Sequence, residues 1–207
     1  MSEETSHVVP AATSRDIAFT PAVKAEQARR GSDRLYAEGG FRAEVTADLV
    51  AFLAERDSFY LASASAEGRP YIQHRGGPKG FLKPLGPTLL GFADFAGNRQ
   101  YITLGNLAEN DRVFLFLMDY ASRTRIKLWG RARVVEGDPA LMETLALPGY
   151  RAKPERAILI ALEAWDVNCR QHIQPRYDEA TVARVVEKLT ARVAELEAEL
   201  AGLRAGV

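Results

Sequence analysis

The spacing of apolar residues changes twice along this chain of 207 residues. Near the N-terminus it is helical. Leu49, Val50, Phe52 and Leu53 form one face of a helix running from Ala47 to Glu55, with Thr46 as its cap. An earlier helix starts at Thr20-Pro21, Thr as N-cap and Pro in the first turn. It extends to Tyr36 or Ala37 before Gly39-Gly40, and Gly31-Ser32 is a point where it can break. Residues 1 to about 16 read as a loose polar tail. From Ser58 onward the period shortens towards two, and strands are expected at Ser58–Ser65, Tyr71–His74, Leu89–Ala93, Val113–Met118, Arg125–Val135 and Ala157–Trp165. Ala66-Glu67-Gly68-Arg69 reads as a tight hairpin between the first two, and Pro84 to Pro87 as a turn. Asp138-Pro139 starts a short helix that ends near Leu145. After Asp178 the period is 3.5: Val182, Val186, Leu189, Val193, Leu196, Leu200 and Leu203 alternate by four and three, flanked by Glu, Arg and Lys. That seam fits a partner helix, or an amphipathic helix lying on its own domain.

About six closely spaced strands with helices at the ends indicate a mainly β protein of the α+β class, an antiparallel barrel or sandwich and not a series of βαβ units. The expected organisation is a flexible tail at 1–16, a strand-rich domain over 17–177 and a coiled-coil-like helix over 178–207. Twenty-seven basic and 27 acidic residues cancel, so no global field draws in nucleic acid or an anionic membrane. No apolar run reaches the roughly 20 residues needed to cross a bilayer. The N-terminus has no signal-peptide pattern, and a cytoplasmic location is the expectation. A lone cysteine, Cys169, rules out an intrachain disulfide and a multi-cysteine metal site, and no metal is expected.

Candidate chemistry centres on Leu89 to Asp119, where two apolar strands flank Ala96-Gly97-Asn98-Arg99-Gln100 and a helix from Tyr101 to Leu107. A glycine and a polar cluster opening a helix leave main-chain N–H groups at its positive end, beside Arg99. A phosphate fits there. The plainer reading of the same residues is a solvated turn with a helix cap. Gln73, Arg75, Lys83, Arg125 and Lys127 add cationic or amide groups on neighbouring strands. An arginine on a strand of a small apolar barrel needs an anion or a carboxylate. The set is either a solvated outer face or the bed of a phosphorylated cofactor.

Four blocks make the chain recognisable: QHRGGPxGFLK over Gln73 to Lys83, FADFAGNRQYxxLGNLxEN over Phe92 to Asn110, RIKLWGxAR over Arg125 to Arg133, and AWDxNCxQHIxPR over Ala164 to Arg176. On these the chain resembles the pyridoxamine 5'-phosphate oxidase-like family, the FMN-binding split barrels. The resemblance implies a six-stranded antiparallel split barrel and a homodimer with FMN at the subunit interface. The C-terminal helix lies outside it. The family's strand arginine falls on Arg75 and the lysine closing that segment on Lys83. The Ser-Arg-Lys phosphate turn of the oxidases falls on Asn98-Arg99-Gln100, which lacks one cation. A glutamine at the flavin ring aligns with Arg125, and Lys127 lies two residues on. The oxidases close with an Arg-x-His segment that grips substrate phosphate. Here Asn168 to Ile173 stands instead, with Arg170 where the subgroup's pattern usually carries proline, which leaves Gln171 and His172 as substrate-side candidates. The reading is an FMN-dependent oxidoreductase acting on a small-molecule substrate or electron donor. Its alternatives are a flavin-binding module that stores or senses FMN without turnover, and a related split barrel that uses F420 or haem.

Overall fold

The computed structural model describes residues 14–36 and 39–205. The first 13 residues of the expected tail lie outside it, while Ser14–Ile17 form a 3-10 turn. The first helix, α1 (Pro21–Arg29), is capped by the Thr20 hydroxyl, which accepts from Val23 N. The chain breaks at Gly31-Ser32 and resumes as a separate 3-10 turn at Asp33–Tyr36, so one long helix does not form. The second helix, α2 (Ala47–Ala54), buries Leu49 and Leu53, as its apolar face predicts.

Seven strands follow: β1 (Ser58–Ala64), β2 (Pro70–Gly76), β3 (Lys83–Gly86), β4 (Leu89–Phe95), β5 (Arg112–Asp119), β6 (Thr124–Val135) and β7 (Pro154–Asn168). Helices α3 (Ile102–Glu109) and α4 (Pro139–Thr144) interrupt them, and α5 (Glu179–Ala205) ends the chain. The seventh strand is β3, at the position read as a turn. Pro84 has no N–H to offer a ladder, but β3 is an edge strand hydrogen-bonded only to β4, where proline is tolerated.

The strand order is β2-β1-β5-β6-β7-β4-β3, with antiparallel pairing along the registered ladders. Three strands separate β1 from β4, yet the rings of Phe59 and Phe92 lie 5.4 Å apart. The sheet therefore curls over its own inner face as an incomplete barrel, with β2 and β3 as free edges among the described residues. Alternation decides what points inward: on β5, Val113, Leu115 and Leu117 are buried between half-exposed Phe114, Phe116 and Met118. One apolar cluster fills the interior, joining Phe59, Phe81 and Phe92 to Leu61, Leu115, Leu128, Ile160 and Trp165.

Gly130 marks the register shift between β6 and β7. A Cβ there would come within 2.5 Å of the Ala161 carbonyl oxygen, so the two backbones pass too closely for any other residue. By contact the chain divides into two compact units. One comprises residues 1–118 and 125–169 and holds the barrel; the other comprises 119–124 and 170–207.

Candidate functional site

Period-two alternation on β2 turns Tyr71, Gln73 and Arg75 to one face and leaves Ile72 and His74 exposed on the other. Across the curl, β4 presents Asp94. At the start of β7, Arg156 stands in register with it. These side chains, the turn 97–101 and the first residues of α3 line one open cleft of about 190 Å³.

An arginine–carboxylate–arginine group forms its floor. Arg75 Nη1 donates to Asp94 Oδ1 at 2.5 Å, and Arg156 Nη1 lies 3.4 Å from Asp94 Oδ2. Asp94 is 5% exposed. Arg156 also reaches Glu155 at 2.9 Å and Glu136 at 3.1 Å. Burial works against the charge on Arg156, but Asp94, Glu155 and Glu136 outweigh it and hold the guanidinium above the ordinary arginine range. Around the lining stand Arg75, Arg99 and Arg156 with Asp94 and Glu155, and Glu136 pairs with Arg156 from outside it. The carboxylates are thus engaged by Arg75 and Arg156, while Arg99 is the exposed cation. Arg75 also keeps a buried Nε with no hydrogen-bond partner. A buried N–H of this kind is costly unless something accepts from it.

The turn above is held in an uncommon backbone. Arg99 (φ 60°) and Tyr101 (φ 54°) both occupy the left-handed region, and Asn98 Oδ1 accepts from Gln100 N at 3.2 Å to brace them. Tyr101 is the N-cap residue of α3 and gives no side-chain hydrogen bond to it. The helix start is thus without the side-chain cap of the plainer reading, and its first residues, Ile102 to Leu104, line the cleft together with Arg99. Further down, Thr103, 2% exposed, donates to Gln73 Oε1 at 3.0 Å and ties α3 to β2.

Of the residues singled out in the sequence, Arg75, Asn98, Arg99 and Gln100 come together here, with Gln73 beside them. Lys83 does not join them: its ammonium donates to the carbonyls of Thr144 (2.9 Å) and Ala146 (2.8 Å) at the C-terminal end of α4. Arg125 and Lys127 lie on β6, opposite Asn168 and Asp166 of β7. Lys127 pairs with Asp166 at 3.2 Å and stands over the rings of Phe41 and Trp129. Arg125, like Arg75, has a buried Nε without a partner. Gln171 and His172 are exposed and belong to the second unit, His172 with φ 62°. Among the described residues no group of three or more His, Cys, Asp or Glu could hold a metal, and no helix is long and apolar enough to cross a membrane. Sequence reasoning passed over Asp94 and Arg156. The only local sign of Arg156 is a cation just ahead of an apolar run.

Residues 45–169 match the family model described as pyridoxamine 5'-phosphate oxidase. The chain belongs to that family. Solved structures with a similar fold include HupZ of Group A Streptococcus (12% identity over 64% of this chain and 99% of that one, TM-score 0.46). Others are an FMN-binding protein of Syntrophomonas wolfei (9%, 70% and 97%, 0.47) and a Clostridium acetobutylicum protein related to general stress protein 26 (14%, 60% and 86%, 0.43). No curated protein matches the chain.

Proposed function

We propose that this chain binds FMN as a homodimer, with the flavin at the subunit interface, and works in the cytoplasm as an FMN-dependent oxidoreductase on a small-molecule substrate. The observation that carries the reading is the cleft. A buried, partnerless Arg75 Nε, the exposed Arg99 and an uncapped helix start belong to residues that line one cleft suited to a phosphate. Arg75, Arg99 and the main-chain N–H groups at the start of α3 hold the phosphate, while Asn98 and Gln100 shape the turn. With Asn and Gln in place of further cations, Arg99 carries most of the exposed charge. At about 190 Å³ the cleft is smaller than the roughly 300–1,000 Å³ of a whole ligand pocket. It takes the head group, and the ring lies against surface supplied by a second copy.

Bound there, the flavin supplies hydride transfer at its ring; the protein supplies binding, orientation and exclusion of water. Arg125, with its partnerless Nε, is assigned to the ring, where a cation favours negative charge on the reduced form. Lys127 steadies the same strand through Asp166. Lys83, engaged at the end of α4, serves the scaffold. Gln171 and His172 are assigned to the substrate side.

The test begins with the visible spectrum of the full-length protein after incubation with FMN and gel filtration. Flavin bands that co-elute, bleach on anaerobic addition of NADH or NADPH and return with an electron acceptor support the enzyme. A protein that emerges colourless contradicts FMN binding. Bands that never bleach leave a binding module and contradict the oxidoreductase.

A further inference from the structure

The C-terminal helix has a surface that the flavin reading does not use. α5 runs for 27 residues from Glu179 to Ala205, and its start is capped by Asp178 Oδ1, which accepts from Thr181 N at 2.7 Å. None of its residues is buried, and the seven seam residues from Val182 to Leu203 are 41–70% exposed. An apolar stripe of that length does not stay in water on a stable protein.

We infer that α5 pairs with α5 of a second copy as a parallel, in-register, two-stranded coiled coil. The residues at each heptad position decide between the possible occupants. The four-and-three spacing puts Val186, Val193 and Leu200 at the a positions and Val182, Leu189, Leu196 and Leu203 at the d positions. Two of the three a residues are β-branched and three of the four d residues are leucine, with Leu200 and Val182 the exceptions, a pattern that favours two parallel strands over three or four. The flanking charges select the same arrangement. In a parallel pair each g residue meets the e residue five positions later on the partner. Arg192 then meets the partner's Glu197, and Glu199 meets the partner's Arg204. Every charged g–e pair is attractive, and two-fold symmetry doubles each of them. An antiparallel pair sets g against g and e against e. With Val186 opposite Leu203, Arg192 still meets Glu199 of the second copy, but Glu197 and Arg204 face Thr190 and Ala183, so half of the attractive pairs are lost. A shift of one heptad sets Arg192 against its own copy. In the single chain Arg192 is engaged by Glu195 at 2.9 Å and lies 3.9 Å from Glu199. These are exposed pairs and exchange at little cost.

The inference is independent of the flavin reading and is tested without flavin. In full-length protein carrying Cys169→Ser, a cysteine introduced by Leu203→Cys should form a disulfide-linked dimer under mild oxidation, read on a non-reducing gel. Adding Leu189→Asp and Leu196→Asp should slow that cross-link at least tenfold. Glu199→Arg alone should slow it as well, and Arg204→Glu added to it should restore the rate. Three results overturn the inference: no cross-link at position 203, a cross-link indifferent to the aspartates, or efficient linkage only when Val186→Cys chains are mixed with Leu203→Cys chains. Failure of the charge exchange to restore the rate overturns the in-register parallel pairing.

Discussion

Replacing Asp94 with alanine should destabilise the barrel by about 3–5 kcal/mol, the cost of removing one partner from a buried ion pair. Asp94 is 5% exposed and is the carboxylate shared by Arg75 and Arg156, whose side chains are 13% and 11% exposed. Without it Arg75 loses its carboxylate, and Arg156 keeps only Glu155 and Glu136. Two like charges are then left together in a half-dry cleft. At roughly 2–4 °C per kcal/mol for a chain of this size, the melting temperature should fall by about 6–20 °C. Urea unfolding of the two proteins measures the difference. Inorganic phosphate should recover more stability in the variant than in the parent, because an anion that binds only the folded state stabilises it by mass action. A loss below about 1 kcal/mol would mean that both arginines reach water once Asp94 is gone.

Trp165→Ala should cost a comparable amount, about 3–5 kcal/mol, for a different reason. Trp165 is 1% exposed and packs in the main apolar cluster. Its indole Nε1 donates to the Glu44 carbonyl at 2.8 Å, and Arg42 stands over the ring at 4.6 Å. Arg42 and Trp165 also exchange main-chain hydrogen bonds of 3.0 and 2.7 Å. Alanine keeps the two main-chain bonds to Arg42 but leaves a cavity, strips the Glu44 carbonyl of its indole donor and removes the ring under Arg42. Trp165→Phe keeps most of the volume and loses mainly the Nε1 bond, for roughly 1 kcal/mol. None of these groups lines the cleft, so the tryptophan variants should bind flavin as the parent does wherever they remain folded. Denaturant titration followed by flavin titration separates the two effects.

The contrast between these residues shows what the sequence made legible. Strands with one wet face announce themselves: the alternation of Ile126, Leu128 and Gly130 against Lys127, Trp129 and Arg131 is the burial pattern of β6. Strand ends and edges do not. β7 runs from Pro154 to Asn168, beyond the apolar run at both ends, because backbone pairing with β4 and β6 continues where the side chains turn polar. β3 was hidden by a proline that only an edge position permits. Likewise the first helix stops at Arg29 because the chain breaks at Gly31-Ser32 before the stronger stop at Gly39-Gly40.

At the site, the turn 98–100 was readable as a local motif. The Asp94–Arg156 contact spans 62 residues and depends on β4–β7 register, which no local pattern encodes. A cationic side chain on a strand looks the same in sequence whether it lines a cleft, as Arg75 does, or closes a helix, as Lys83 does. The seam of α5 needed nothing beyond its own spacing, since a 3.5-residue period is a property of the helix alone.

The central claim is that this cleft holds the phosphate of FMN, and Arg99 is its most direct probe because it is exposed and carries no fold. Flavin fluorescence quenching by the parent and by Arg99→Ala should give an affinity about ten- to a hundred-fold weaker for the variant, the loss of one charge-assisted contact worth roughly 1.5–3 kcal/mol, with unfolding unchanged. Equal FMN affinity in the two proteins would contradict the account.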